Sequence, residues 1–219
     1  MTLGPSHIRQ SNFIEKLVGN KWFWVVMCSL LFGLPVYKSM NRTLPPELPI
    51  ISAVPEFRFV DENGKTFGSR ELKGKVYIAN FVFMSCQTSC PALLGKVQTV
   101  QHRLRGVIDR AAIISITVDP ANDTTKVLYD KSLELKANPS VWRFLSASLP
   151  ETKKLLVEGF KVPLGEREFA NNVWDVAHSN KLVLVDQDGN IRGYYNTDKD
   201  SLNQMMIDTG LLINRKKKS

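Results

Sequence analysis

The residues best suited to chemistry are Cys86 and Cys90, with three residues between them in Ser85-Cys86-Gln87-Thr88-Ser89-Cys90-Pro91. Thiolates are nucleophiles and soft metal ligands. A pair at this spacing can close a disulfide where its α-carbons come within about 7 Å, or can hold a soft metal ion between two sulfurs. Spacing alone does not choose between them. Ser85, Gln87, Thr88 and Ser89 make the turn polar, whereas an inert cysteine is ordinarily a small packed apolar side chain. Cys28, the remaining cysteine, sits in an apolar run and reads as such a side chain. Three cysteines in 219 residues argue against a disulfide-stapled scaffold.

The flanking segments indicate how the pair is positioned. Lys75 to Met84 (KVYIANFVFM) is the apolar, β-rich run expected of a central strand covered on both faces, and it ends just before the cysteine turn. Pro91 then opens a helical pattern to about Leu104, with Leu93, Leu94, Val97, Val100 and Leu104 on one side. With Pro91 as the first helical residue, Cys90 is the N-cap and both sulfurs lie near the positive end of the helix dipole, where thiolates are favoured. Ala111 to Val118 is a second strand, stopped by Asp119-Pro120, and Asp123 is expected to cap a helix through about Leu135. Glu151 to Gly159 reads as a helix, Leu182 to Asp186 pairs with Ile191 to Tyr195 across a Gln187-Asp188-Gly189-Asn190 turn, and Leu202 to Ile213 closes with a helix. Alternating elements followed by a hairpin imply an α/β fold with a mixed sheet in the thioredoxin-like arrangement, the cysteines following a central strand.

His178 precedes the strand Leu182 to Asp186. A lone loop histidine is usually only solvated. In a thioredoxin-like fold, however, the segment entering that strand faces the cysteine turn, and redox members place a cis-proline there. This chain has no proline after Pro163. An imidazole in that place, with two thiolates, makes a three-coordinate donor set suited to Cu(I). Asp119, Asp123, Asp186 and Asp188 are explained by turn and cap duties rather than by a hard-cation site.

Charge and hydropathy set the surroundings. The net charge of +8 divides into +4 over residues 1 to 42 and +4 in the tail Arg215, Lys216, Lys217, Lys218, leaving residues 43 to 214 neutral. A duplex-binding domain gathers its bases on the folded part, so nucleic acid is not an expected partner. The basic tail is a solvated end or a contact for anionic lipid. Trp22 to Tyr37 is a sixteen-residue run without charge, flanked by Lys16, Lys21, Lys38 and Arg42. It is short against the roughly 20 residues of a span, a shortfall that interfacial Trp22 and Trp24 and snorkelling Lys21 and Lys38 offset. No small-residue cleavage site follows it, which favours a retained anchor over a signal peptide. Thr43 to Phe57 holds four prolines and reads as a stiff spacer. The expected organisation is a tail at 1–21, an anchor at 22–40, a Pro-rich linker at 41–55, a thioredoxin-like domain at 56–214 and a basic tail at 215–219.

Over roughly residues 55 to 213 the chain resembles the Sco/SenC family of copper-binding assembly factors for cytochrome c oxidase. The likeness rests on Gly74-Lys75, the Cys86 to Pro91 element, Val118-Asp119-Pro120 with Asp123-Thr124, Trp142-Arg143-Phe144-Leu145, and Ala177-His178-Ser179 before Asp186-Gln187-Asp188-Gly189. The resemblance implies that Cys86, Cys90 and His178 bind copper as Cu(I) or Cu(II), and that Cys86 with Cys90 cycles between dithiol and disulfide. It further implies three partners: the copper-binding subunit of the oxidase, a thiol reductant or copper donor protein, and the membrane through one helix. The location it implies is an inner membrane, single-pass, with the soluble domain in the periplasm or mitochondrial intermembrane space. The chain departs from the family pattern at Gln87, where proline is usual, and at Ala177, where aspartate is usual; neither change deletes a ligand. Copper delivery needs all three residues, whereas a thiol-disulfide oxidoreductase that reduces client cysteines needs only the two thiols. A thiol peroxidase is disfavoured, since nothing beyond the fold supplies peroxide-activating residues, and structural zinc is the lesser metal.

Overall fold

The computed structural model describes residues 18–40, 47–84, 89–162, 167–170, 173–176 and 181–215. The chain divides into two compact units between Glu47 and Leu48. In the first, α1 (Lys21–Met40) is a 20-residue helix of mean hydropathy 1.5 with none of its apolar window buried. At about 1.5 Å per residue it is roughly 30 Å long, the thickness of a bilayer core. Carrying the helix past the uncharged run, through Lys38 to Met40, makes good the length that run lacks. Asn20 caps it by accepting from the Trp22 amide, and the Trp24 indole donates to the Val18 carbonyl at 2.8 Å. Among the described residues it is the one helix long and apolar enough to cross a membrane.

The second unit comprises β1 (Ser52–Ala53), β2 (Arg58–Asp61), β3 (Thr66–Gly68), α2 (Ser69–Leu72), β4 (Val76–Val82), α3 (Ser89–Leu104), β5 (Ala111–Thr117), α4 (Thr125–Glu134), β6 (Trp142–Ser146), α5 (Leu149–Lys154), β7 (Arg167–Ala170), β8 (Val173–Val176), β9 (Leu182–Val185), β10 (Asn190–Tyr195) and α6 (Lys199–Asn214). Eight strands form one sheet in the order β1-β10-β9-β4-β5-β6-β2-β3, and β7 pairs with β8 separately. β4, β5 and β6 are parallel, while β9 runs antiparallel to β4. β4 and β5 are buried along their whole length, as strands covered on both faces must be.

Alternation along β4 divides the core in two. Tyr77, Ala79, Phe81 and Phe83 pack with Leu155, Leu156 and Phe160; Val76, Ile78 and Val82 pack with Leu93, Leu94, Val97, Leu128, Trp142 and Met205. The buried polar side chains within the second layer satisfy one another: the Trp142 indole donates to Ser115 Oγ at 2.8 Å, and Ser115 donates to Asn80 Oδ1 at 2.9 Å. The mixed α/β thioredoxin-like fold expected from the sequence is thus the fold observed.

Local details differ from expectation for identifiable reasons. α3 begins at Ser89 rather than Pro91, because the first helical amides have no intrahelical acceptor and proline is tolerated among them. Cys90 therefore lies inside the first turn and is not the N-cap. Thr124 caps α4, accepting from the Val127 amide, so Asp123 is not the cap. The expected helix from Glu151 to Gly159 starts earlier, at Leu149, behind a Ser148/Glu151 capping box, and its last turn widens to a π-turn at Leu155–Gly159. The β2-β3 and β7-β8 hairpins and strands β1 and β6 lie outside the expectations above; Ser52 and Ala53, within the Pro-rich segment, pair with β10.

Candidate metal centre

β4 delivers the chain to the cysteine segment. Its last rung is the bond from the Val118 amide to the Val82 carbonyl, at 2.9 Å. Two residues later the Met84 amide donates to the Asp123 carboxylate, at 3.0 and 3.2 Å to the two oxygens. Cys90 is 2% exposed and groups with Phe81, Phe83, Phe160 and Val162, on the opposite layer from the Leu93, Leu94 and Val97 that seat the rest of α3. The helix start is thus where the two layers meet, at the carboxyl end of the central strand; the helix dipole and first-turn amides favour a thiolate there, and burial among apolar side chains opposes it.

Cys86 and His178 lie outside the described residues, which bracket both. β8 ends at Val176 and β9 opens at Leu182. The register Tyr77↔Val185 and Ala79↔Val183 makes β9 enter beside the carboxyl half of β4, the end from which the cysteine segment departs. Among the described residues no three His, Cys, Asp or Glu side chains gather as a metal site. His102 stands on α3 beside Arg105, at 3.1 Å.

Two of the four aspartates do different work. Asp186 has the turn duty expected of it, accepting the amides of Asp188 at 3.0 Å and Asn190 at 2.8 Å, and pairing with Arg192 at 2.6 Å. Asp123 does something else. It is 1% exposed and accepts from the Met84 amide and the Thr117 hydroxyl, while Thr117 Oγ1 accepts the Asp119 amide at 3.1 Å. Burial pushes the Asp123 pKa up, the Thr117 and Met84 bonds oppose that rise, and the Asp119 charge adds to it. No local signal separates this residue from a cap, because its decisive donor is 39 positions away.

A central strand running to the cysteine segment and a helix leaving it, at one end of a mixed sheet, are the thioredoxin-like arrangement. The SCO1/SenC family model matches residues 50–209, and the chain belongs to that family. The SCO1 protein homolog of Bacillus subtilis (strain 168) is 30% identical over 149 residues, spanning 68% of this chain and 76% of that protein. The structure of BsSco, a member of the Sco family of cytochrome c oxidase assembly proteins with an identified disulfide switch, matches with a TM-score of 0.67 at 26% identity, over 78% of this chain and 100% of that one. Bradyrhizobium japonicum ScoI with copper bound shares the fold, with a TM-score of 0.63 at 23% identity over 74% of this chain and 99% of its own.

Proposed function

We propose that this protein is a membrane-anchored copper chaperone for assembly of the CuA centre of cytochrome c oxidase, carrying copper as cargo on Cys86, Cys90 and His178. The observation that carries the reading is Cys90 in the first turn of α3 at the carboxyl end of β4, with β9 entering at that same end. Two thiolates and an imidazole are a soft donor set, matched to Cu(I) better than to hard cations. Membership in a family whose named members include a cytochrome c oxidase assembly protein and a copper-bound structure supports both cargo and client.

In this reading α1 holds the domain to the inner membrane and residues 56–214 present the site on the periplasmic or intermembrane-space side, with 41–55 as a linker whose Ser52 and Ala53 join the domain's sheet, and the ends at 1–21 and 215–219 as tails. Cys86 and Cys90 accept copper only as dithiol. Should they close to a disulfide, a dithiol reductant supplies the two electrons and two protons that reopen it, and its own thiols become the disulfide. A second reading, a thiol-disulfide oxidoreductase acting on client cysteines, is favoured by the disulfide switch in BsSco and needs no histidine.

Anaerobic Cu(I) titration of the reduced full-length chain in detergent micelles separates them. One tightly held copper in wild type, lost in His178→Ala and in Cys86→Ser/Cys90→Ser, is the expected result. Copper retained in His178→Ala removes that residue as a ligand and moves the assignment to disulfide reduction.

A further inference from the structure

We infer that Asp123 is a positioning residue for the cysteine pair: its carboxylate ties the exit of β4 to the loop after β5 and so fixes where Cys86 stands relative to Cys90. The inference rests on the copper reading of the site. The chain reaches the two cysteines in different ways. Cys90 is part of α3, whose Leu93, Leu94, Val97, Val100 and Leu104 are all buried, so its backbone is fixed by core packing. Cys86 follows a strand that has already left the ladder, and Met84 is the last described residue before it.

The Met84 amide is aimed at Asp123, itself 1% exposed, and the second donor on that carboxylate is the hydroxyl of Thr117, the last residue of β5. Thr117 in turn accepts the Asp119 amide, so one carboxylate links β4, β5 and the loop beyond. Burying a carboxylate is costly, and capping does not account for this one because Thr124 performs that task. What Asp123 adds is a buried acceptor for a backbone amide two residues before a proposed ligand, the kind of outer contact that orients metal ligands. An asparagine can accept from Met84 and donate to Thr117, so the tether needs the shape and acceptor of the group more than its charge.

The test compares wild type, Asp123→Ala, Asp123→Asn and the remote core variant Leu212→Ala as full-length chains in detergent. Cu(I) affinity is read by chelator competition, and Met84 amide exchange is followed in wild type. Expected are a protected Met84 amide and Cu(I) binding weakened about 10–100-fold in Asp123→Ala. Affinity within about threefold of wild type is expected for Asp123→Asn, which keeps the acceptor, and for Leu212→Ala, which lowers stability only. Wild type that takes no copper overturns the copper reading and this inference together. Wild type that binds copper with an unprotected Met84 amide overturns the inference alone, and does so even if Asp123→Ala fails to fold. Equal affinity in Asp123→Ala and wild type, or equal weakening in Leu212→Ala or Asp123→Asn, overturns it as well.

Discussion

Asp123 and Asp186 each follow a central strand and are both buried, at 1% and 3% exposure, yet they are different devices. Asp186 accepts from Asp188, Asn190 and Arg192, all within six positions, so the carboxylate closes its own turn and neutralises a neighbouring guanidinium. The donors on Asp123 are Thr117 and, 39 positions earlier, Met84 at the mouth of the cysteine segment. A buried carboxylate with local donors stabilises a turn. One with a distant donor holds two segments in register, and here one of those segments leads to Cys86.

The sharpest break of this comparison is Asp186→Ala. It leaves Arg192, whose side chain is 11% exposed, without its anion, and strips the turn amides of their acceptor. Loss of one partner from such a pair costs about 3–5 kcal/mol, read by denaturant unfolding, with Cu(I) affinity of the folded fraction unchanged. Asp123→Ala is expected to cost less stability, about 1–3 kcal/mol for the unsatisfied Met84 and Thr117 donors, while copper binding falls. The two variants thus order oppositely in stability and affinity; the same order in both measurements would erase the distinction. Thr124→Ala, next to Asp123, removes the α4 cap for about 1 kcal/mol and leaves copper binding intact, which separates the tether from helix capping.

The smallest effect is in pH. Burial raises the folded-state pKa of Asp123 above its ordinary 3.8, so between 3.8 and the raised value the folded chain holds the proton that the unfolded chain has lost. The stability this contributes is present in full below 3.8 and is lost as pH rises through the folded pKa. Unfolding of wild type compared with Asp123→Asn should therefore show wild type losing ground as pH climbs through that window, and a constant difference above it. A difference that grows in favour of wild type with rising pH contradicts the direction of the shift.

The same distinction between local and distant partners decides what the sequence made legible. β4 and β5 are readable because strands buried on both faces are unbroken apolar runs, and β9-β10 because Asp188-Gly189 marks its turn. β2-β3 carries an Asn63-Gly64 turn signal, but its strands are of three and four residues, too short for alternation to register. In β6, Arg143 interrupts the apolar pattern, and its place is set by contacts with Asp61 and Glu62 about 80 positions earlier. The family was legible through the motif around Cys86 and Cys90 and those that follow it. The burial of Cys90 and the grip of Asp123 were not, because both depend on which elements the fold brings to the carboxyl end of β4.

The most direct test of the central claim is X-ray absorption at the copper edge of the Cu(I)-loaded full-length chain, beside His178→Ala. Two sulfur scatterers and one nitrogen in wild type, with the nitrogen contribution lost in the variant, are the predicted result. A sulfur-only site, or a first shell unchanged by His178→Ala, would contradict the assignment of Cys86, Cys90 and His178 as the ligands.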